Sequence, residues 1–190
     1  LYSNTTGTNN VASGFQALYS NTTGASNTAN GYKALYDNTT GIYNVATGSG
    51  SLFNNTEGSQ NVAIGLNCLL NNTTADNNTA IGHQAMMLNI TGASNAASGY
   101  RSLYSNTTGA NNTAVGRNSL YANTTGNYNT ANGSYALRLN TTGANNTVLG
   151  YLAGDNITTG SSNIIIGYNV DAPSATASNQ LNIGNTIYGD

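Results

Sequence analysis

Apolar and polar positions recur along this chain with a spacing of 17 residues. Leucine, replaced once by methionine, stands at Leu1, Leu18, Leu35, Leu52, Leu69, Met86, Leu103, Leu120 and Leu137, and Gly154 opens a tenth row in the same register. A row reads approximately L-Y-S-N-T-T-G-x-N-N-T-A-x-G-Y-x-A, and its positions are called columns one to seventeen below. Column fourteen is Gly in all ten rows, from Gly14 to Gly167. Column ten is Asn in all ten: Asn10, Asn27, Asn44, Asn61, Asn78, Asn95, Asn112, Asn129, Asn146 and Asn163. Column twelve is Ala except at Val148 and Ile165, and column seven is Gly except at Ala75. No insertion breaks the register. An unbroken period means that each unit follows the same path and touches its neighbours in the same way.

The row predicts short β-segments joined by turns. Gly and Asn are weak helix formers, and two glycines per row would punctuate any helix. Seventeen extended residues give roughly 56 Å of contour, enough for one flattened or triangular coil, and stacked coils rise by roughly 4.8 Å each. The fold expected is all-β: a parallel β-solenoid, of the β-roll or β-helix kind, with about ten 17-residue coils over residues 1–170. Residues 171–190 are expected to form an irregular break around Pro173, bending or partly covering that end, and then a strand segment in the same register. Because Leu181 to Gly184 keep the strand pattern, an open sheet edge is expected there.

Strand alternation places columns ten, twelve and fourteen on one face, and columns eleven and thirteen on the other. The invariant small set fits a narrow interior. It is joined there by the leucine column and by the small residues of column seventeen, such as Ala17, Ser51, Cys68 and Ala136. Identical Asn residues one coil apart can bond to each other, so column ten is expected to form an amide ladder along the axis. The glycines are expected where φ is positive or where segments approach closely. Tyr2, Tyr19, Tyr36 and Phe53 should stack along one edge, with the stack resumed at Tyr104 and Tyr121.

The half-rows Asn78-Thr79-Ala80-Ile81-Gly82 and Asn112-Thr113-Ala114-Val115-Gly116 resemble the N-S-V-A-I-G head repeats of trimeric autotransporter adhesins, whose period is three residues shorter. The longer A-L-Y-S-N-T-T-G-x-x-N-T-A form is similar to repeat regions of phage-tail-fibre-like proteins, and the ending from Ser178 to Asp190 is similar to the exit segment of those arrays. The resemblance implies a left-handed parallel roll, a homotrimer and a place on a cell surface or virion appendage. In the adhesin heads the positions matching columns eleven and thirteen help form the trimer centre. Here they are polar in places, as at Thr28 with Asn30 and Thr130 with Asn132.

Composition narrows the function classes. Charged residues make up 5% of the chain, against roughly 25% in ordinary domains. The net charge of −2 and the strict register argue against disorder. Four basic residues, Lys33, Arg101, Arg117 and Arg138, are too few to neutralise a nucleic-acid backbone. No apolar run reaches the ~20 residues of a membrane-spanning helix, so no membrane insertion is expected. The chain opens at Leu1 inside a repeat with no signal peptide, as a processed chain or a fragment would. One cysteine, Cys68, excludes an internal disulfide and suits a packed thiol. His83 is the one histidine, and the carboxylates are scattered without a phase-locked pair. No catalytic residue, no metal ligand set and no cofactor site is therefore predicted.

The strongest chemical signal is Asn-x-Ser/Thr in column four. It makes Asn4, Asn21, Asn38, Asn72, Asn89, Asn106, Asn123 and Asn140 candidate acceptors of covalent N-glycans. Chance occurrence in an Asn/Thr-rich chain is the plainer explanation, and sugars on adjacent coils would be only about 5 Å apart. Column six, Thr in nine rows and Glu57 in one, raises ice binding, with columns four and six as the same-face pair. Column fifteen, with Phe15, Tyr32, His83, Tyr100, Tyr151 and Tyr168, is the most plausible surface for a carbohydrate or receptor. The expected function is an extracellular structural rod or fibre that associates with itself, as a homotrimer or an end-to-end filament. A ligand-binding adhesin is the second reading.

Overall fold

The computed structural model describes residues 1–184 and the backbone of 187–189. Each row contributes one strand of three residues, over columns eleven to thirteen. These are β1 (Val11–Ser13), β2 (Thr28–Asn30), β3 (Val45–Thr47), β4 (Val62–Ile64), β5 (Thr79–Ile81), β6 (Ala96–Ser98), β7 (Thr113–Val115), β8 (Thr130–Asn132), β9 (Thr147–Leu149) and β10 (Ile164–Ile166), followed by β11 (Leu181–Ile183) and β12 (Ile187–Gly189). Strands β1 to β11 pair in parallel, each with the next, always in 17-residue register: Ala29 faces Ala46, Ala46 faces Ala63, and Ile165 faces Asn182. The chain is an all-β solenoid of about ten coils, one strand per coil, and the remainder of each coil is turns and bends.

Burial follows the columns. Ala29, Ala46, Ala63 and Ala80 are buried in column twelve, and Leu18 to Leu137 with Met86 in column one. Column seventeen adds Ala17, Cys68, Ala136 and Ala153. One alanine-and-leucine core thus runs the length of the rod. Column thirteen points outward, as Ile64, Ile81, Val115 and Leu149 show. The Tyr2, Tyr19, Tyr36 and Phe53 rings stack 5.0–5.3 Å apart, which reports the spacing of successive coils directly.

Glycine accounts for only part of the left-handed backbone. Column-fourteen glycines have φ of 122–144°, and a Cβ on Gly82 would land on the carbonyl of Gly99 one coil away. Column-seven glycines serve close approach alone: a Cβ on Gly41 would meet the Gly58 carbonyl and the Asn38 amide. Most positive-φ residues are not glycine. The buried leucines of column one sit at φ of 50–52°, and column nine is left-handed at 57–61°. From column fourteen into the next row every second residue has positive φ, as in Gly31, Lys33 and Leu35. A left-handed leucine costs roughly 1–2 kcal/mol. Bonds to neighbouring coils hold it there: Lys33 N–H donates to Phe15 O at 2.9 Å and Leu35 N–H to Ser51 O at 3.0 Å.

The end of the array differs from expectation in two ways. Residues 171–180 follow the coil path instead of bending over the core. Thr158 N–H donates to Ala175 O (2.9 Å), Ile164 N–H donates to Gln180 O (2.8 Å), and Val170 and Ala172 are buried. The β11 edge is not open, because β12 pairs with it antiparallel, Asn182 opposite Tyr188. A strand of opposite polarity thus occupies the position where another coil would add.

Placing a charge in the leucine column tests this inside-out arrangement. Leu52→Asp buries an unpaired carboxylate and should destabilise the rod by at least about 3 kcal/mol in denaturant titration. Melting unchanged from the parent would mean that column one does not form the core.

Candidate functional site

The chemistry of this molecule is concentrated in rows of identical amides and hydroxyls along the axis. Column ten bonds mainly through the backbone. The Asn27 Oδ1 accepts the Asn44 backbone N–H at 2.9 Å, and its Nδ2 donates to Gly41 O at 2.8 Å in the next coil. The pattern recurs at Asn61, where Nδ2 also reaches Asn44 Oδ1 at 3.2 Å, and on through Asn78 and Asn95 to Asn163. Gln180 occupies column ten of the eleventh row and ends the ladder. Its longer side chain turns back, Nε2 donating to Ser174 O and Ala177 O at 2.8 Å.

Column four forms the more direct amide-to-amide ladder. Each Nδ2 donates to the Oδ1 one coil earlier, from Asn21 on Asn4 to Asn140 on Asn123, at 2.7–2.9 Å throughout. The second hydrogen goes to the column-seven carbonyl of the same coil, as Asn38 to Gly41 (3.1 Å) and Asn89 to Gly92 (2.9 Å). Seven of the eight candidate glycan acceptors are therefore buried: Asn21, Asn38, Asn72, Asn89, Asn106, Asn123 and Asn140. Both hydrogens of each are engaged, and a sugar on Nδ2 would remove one and need space the interior lacks. Only Asn4, in the first coil, is exposed. The glycan expectation is thus corrected for the folded coil. Asn55, in no such triplet, takes the same ladder position. Ile157 ends the ladder, leaving the buried Asn140 Oδ1 without a partner.

The rest of the N-T-T-G segment explains itself around one carbonyl. Thr39 O accepts the Thr22, Thr23 and Gly24 N–H groups at 3.0–3.1 Å and the Thr22 hydroxyl at 3.0 Å. Three successive N–H groups converging on one oxygen form a backbone nest. Column-five threonines thus clamp the next coil, while column-six threonines such as Thr23, Thr40 and Thr108 face solvent. Columns four and six do not share a face, since the segment is a turn and strand alternation does not apply. The paired Asn–Thr surface considered for ice is therefore not formed.

Column fifteen is exposed at Phe15, Tyr32, His83, Tyr100, Tyr151 and Tyr168. Phe15 stacks on Tyr32 at 5.6 Å and Tyr151 on Tyr168 at 5.3 Å, while His83 tilts against Tyr100 at 5.4 Å. The cations join this edge: Lys33 lies over Tyr36 (5.2 Å), Arg101 over Tyr100 (5.2 Å), Arg117 over Tyr135 (5.5 Å) and Arg138 over Tyr135 (5.6 Å). Sequence reasoning took the aromatic columns singly. The turn from column fifteen to column two brings them and the cations onto one edge.

Among the described residues no group of three or more His, Cys, Asp or Glu side chains could hold a metal ion. Burial raises the Asp37 carboxyl, an effect opposed by the charge of Lys33. Burial first, then the charge of Asp155, raises Asp171. Asp155 itself bonds Arg138 at 3.1 Å. Cys68 is buried, its thiol donating to Ala80 O at 3.1 Å, and burial pushes it up to about 12.

No protein-family model, curated protein or solved structure matches this chain at a significant level.

Two measurements test the interior. Asn89→Ala orphans the Asn72 Oδ1 acceptor and should lower stability by roughly 1–3 kcal/mol, while Asn4→Ala at the exposed end should change it by less than about 0.5 kcal/mol. Equal effects would remove the ladder from the account. The raised Cys68 value also sets a pH dependence. The thiol stays protonated in the fold while the unfolded chain ionises near 9, so its contribution is complete below pH 9 and is lost as pH rises toward about 12. Wild type should therefore lose a few kcal/mol over this range relative to Cys68→Ser, since Ser119 makes the equivalent bond to Ala131 O at 2.9 Å. Parallel pH curves for the two proteins would contradict it.

Proposed function

We propose that the chain is a non-enzymatic structural rod, a section of an extracellular fibre, and that it works by holding a fixed length and shape. The observation that carries this reading is the continuity of the inter-coil ladders. Asn and Thr side chains and the Gly backbone are used in joining each coil to the next along the array. A molecule that repeats one joint many times without insertion is built for extent and stiffness. The similarity of its repeats to those of tail-fibre-like proteins and adhesin heads supports the same reading.

Self-association belongs to this proposal. The outer face of the sheet exposes Ile64, Ile81, Val115 and Leu149 in column thirteen, with the half-buried Val62 and the exposed Thr113 beside them in column eleven. These exposed apolar side chains, with Ser98 and Asn132 between them, suit contact with another copy. Since β12 occupies the β11 edge, side-by-side packing such as a homotrimer is favoured over end-to-end addition of this chain. An extracellular location is part of the same proposal.

Light scattering on the purified chain is the test. A homo-oligomer is expected, and the pair Ile81→Lys and Val115→Lys should convert it to monomer while keeping the β spectrum. A soluble monomer over a wide concentration range would overturn the assembly proposal.

A further inference from the structure

The aromatic–cationic edge carries two clefts of the same construction. The first, about 410 Å³, is lined by Tyr32, Lys33, Gly50, Phe53, Asn67 and Leu70. The second, about 330 Å³, is lined by Arg101, Asn118, Tyr121, Arg138 and Leu139. Their parts correspond one by one at a separation of 68 residues, four repeats of 17: Lys33 with Arg101, Gly50 with Asn118, Phe53 with Tyr121, and Leu70 with Arg138. Each cleft opens where a short column-sixteen residue follows a long cation. Each lies where a stack of column-two rings ends, at Phe53 after Tyr36 and at Tyr121 after Tyr104. The last ring of each stack, Phe53 or Tyr121, has no aromatic partner in the next coil and lines the cleft, half-buried, with Lys33 Nζ 5.8 Å from the Phe53 ring centre.

We propose that this edge binds a linear anionic polysaccharide lying parallel to the rod, with one acidic sugar in each cleft. The end-of-stack ring receives the apolar face of the pyranose, and Lys33 or Arg101 holds its carboxylate or sulfate. Charge supports this occupant. All four Lys and Arg residues of the chain stand on this edge, although the molecule is net negative. In the second cleft Arg138 adds a further cation, whose buried Nε donor has no protein partner. Asp155 now holds Arg138 at 3.1 Å and competes with an incoming anion. Four coils place the clefts about 19 Å apart along the axis, a span a single extended oligosaccharide can cover. A nucleic acid would need a denser cation track and successive free ring faces. The inference goes beyond the fibre reading and does not depend on it, because binding is measured on the chain in whatever assembly it adopts.

The test is calorimetric titration of the full chain with a galacturonic acid octamer, a sulfated heparin-derived octasaccharide, neutral cello-octaose and oligothymidylate. At least one acidic octasaccharide should bind, more weakly as salt rises, and its disaccharide should bind at least about ten-fold more weakly because it cannot bridge the clefts. Which octasaccharide binds tells carboxylate from sulfate. Lys33→Gln and Arg101→Gln should each weaken binding about ten-fold or more, with circular dichroism and melting unchanged. Asp155→Asn should tighten binding by releasing Arg138. The proposal is overturned if neither acidic octasaccharide binds, if the Lys33→Gln/Arg101→Gln double variant binds as the parent does, or if cello-octaose or oligothymidylate binds more tightly.

Discussion

The fold rests on a hydrogen bond between a side-chain amide and the coil beside it. An asparagine in a narrow interior must satisfy two donors and an acceptor or be expelled to water. In this chain the partners come from the same residue one coil away and from the carbonyl of the neighbouring glycine. The arrangement works only if every coil has the same length and every row has the same amide. That explains why the 17-residue register tolerates substitution at outward positions but no insertion.

Other features follow from this joint. Coils drawn to the spacing that an amide ladder requires leave little room for a Cβ where two turns meet, hence glycine throughout column fourteen and in column seven of every row but that of Ala75. They also force the chain to close its loop in very few residues, which it does by alternating left-handed backbone through the leucine column. The apolar core is thin, mostly Ala and Leu, so packing along the axis adds to the polar ladders. Each coil is stable because its neighbours are present, the one-dimensional cooperativity of repeat proteins. The column-four ladder ends where Ile157 replaces the amide by apolar packing, and the column-ten ladder ends at Gln180, whose longer amide still bonds Asn163 Oδ1 but folds back onto Ser174 O and Ala177 O.

Much of this was legible in the residues. Columns ten, twelve and fourteen stood out because a parallel register admits only small or self-complementary groups at its narrowest part. The strand segment, the buried leucines and the ring stack followed from period and alternation. Column four was harder to read, because Asn-Thr-Thr matches a surface glycan acceptor as well as it matches an interior turn. Only the path of the chain through that turn tells Nδ2 in a ladder from Nδ2 in water. The left-handed Leu35 and Lys33 gave no signal, since their propensities point elsewhere and contacts from adjacent coils hold them in place. The clefts were hidden for a related reason: they arise from short residues in one column beside stack ends in another, a coincidence visible only when the turn brings the columns together.

The central claim is that the column-four and column-ten amides are interior, bonded and continuous from coil to coil. Native-state hydrogen exchange of the asparagine side-chain amides, followed by NMR with site assignments, measures this directly. The account predicts strongly protected carboxamide protons for Asn38 to Asn123 in column four and Asn44 to Asn146 in column ten, with Asn4 exchanging quickly. Exchange of the column-four amides at the rate of free asparagine, in a chain whose strand amides remain protected, would contradict it.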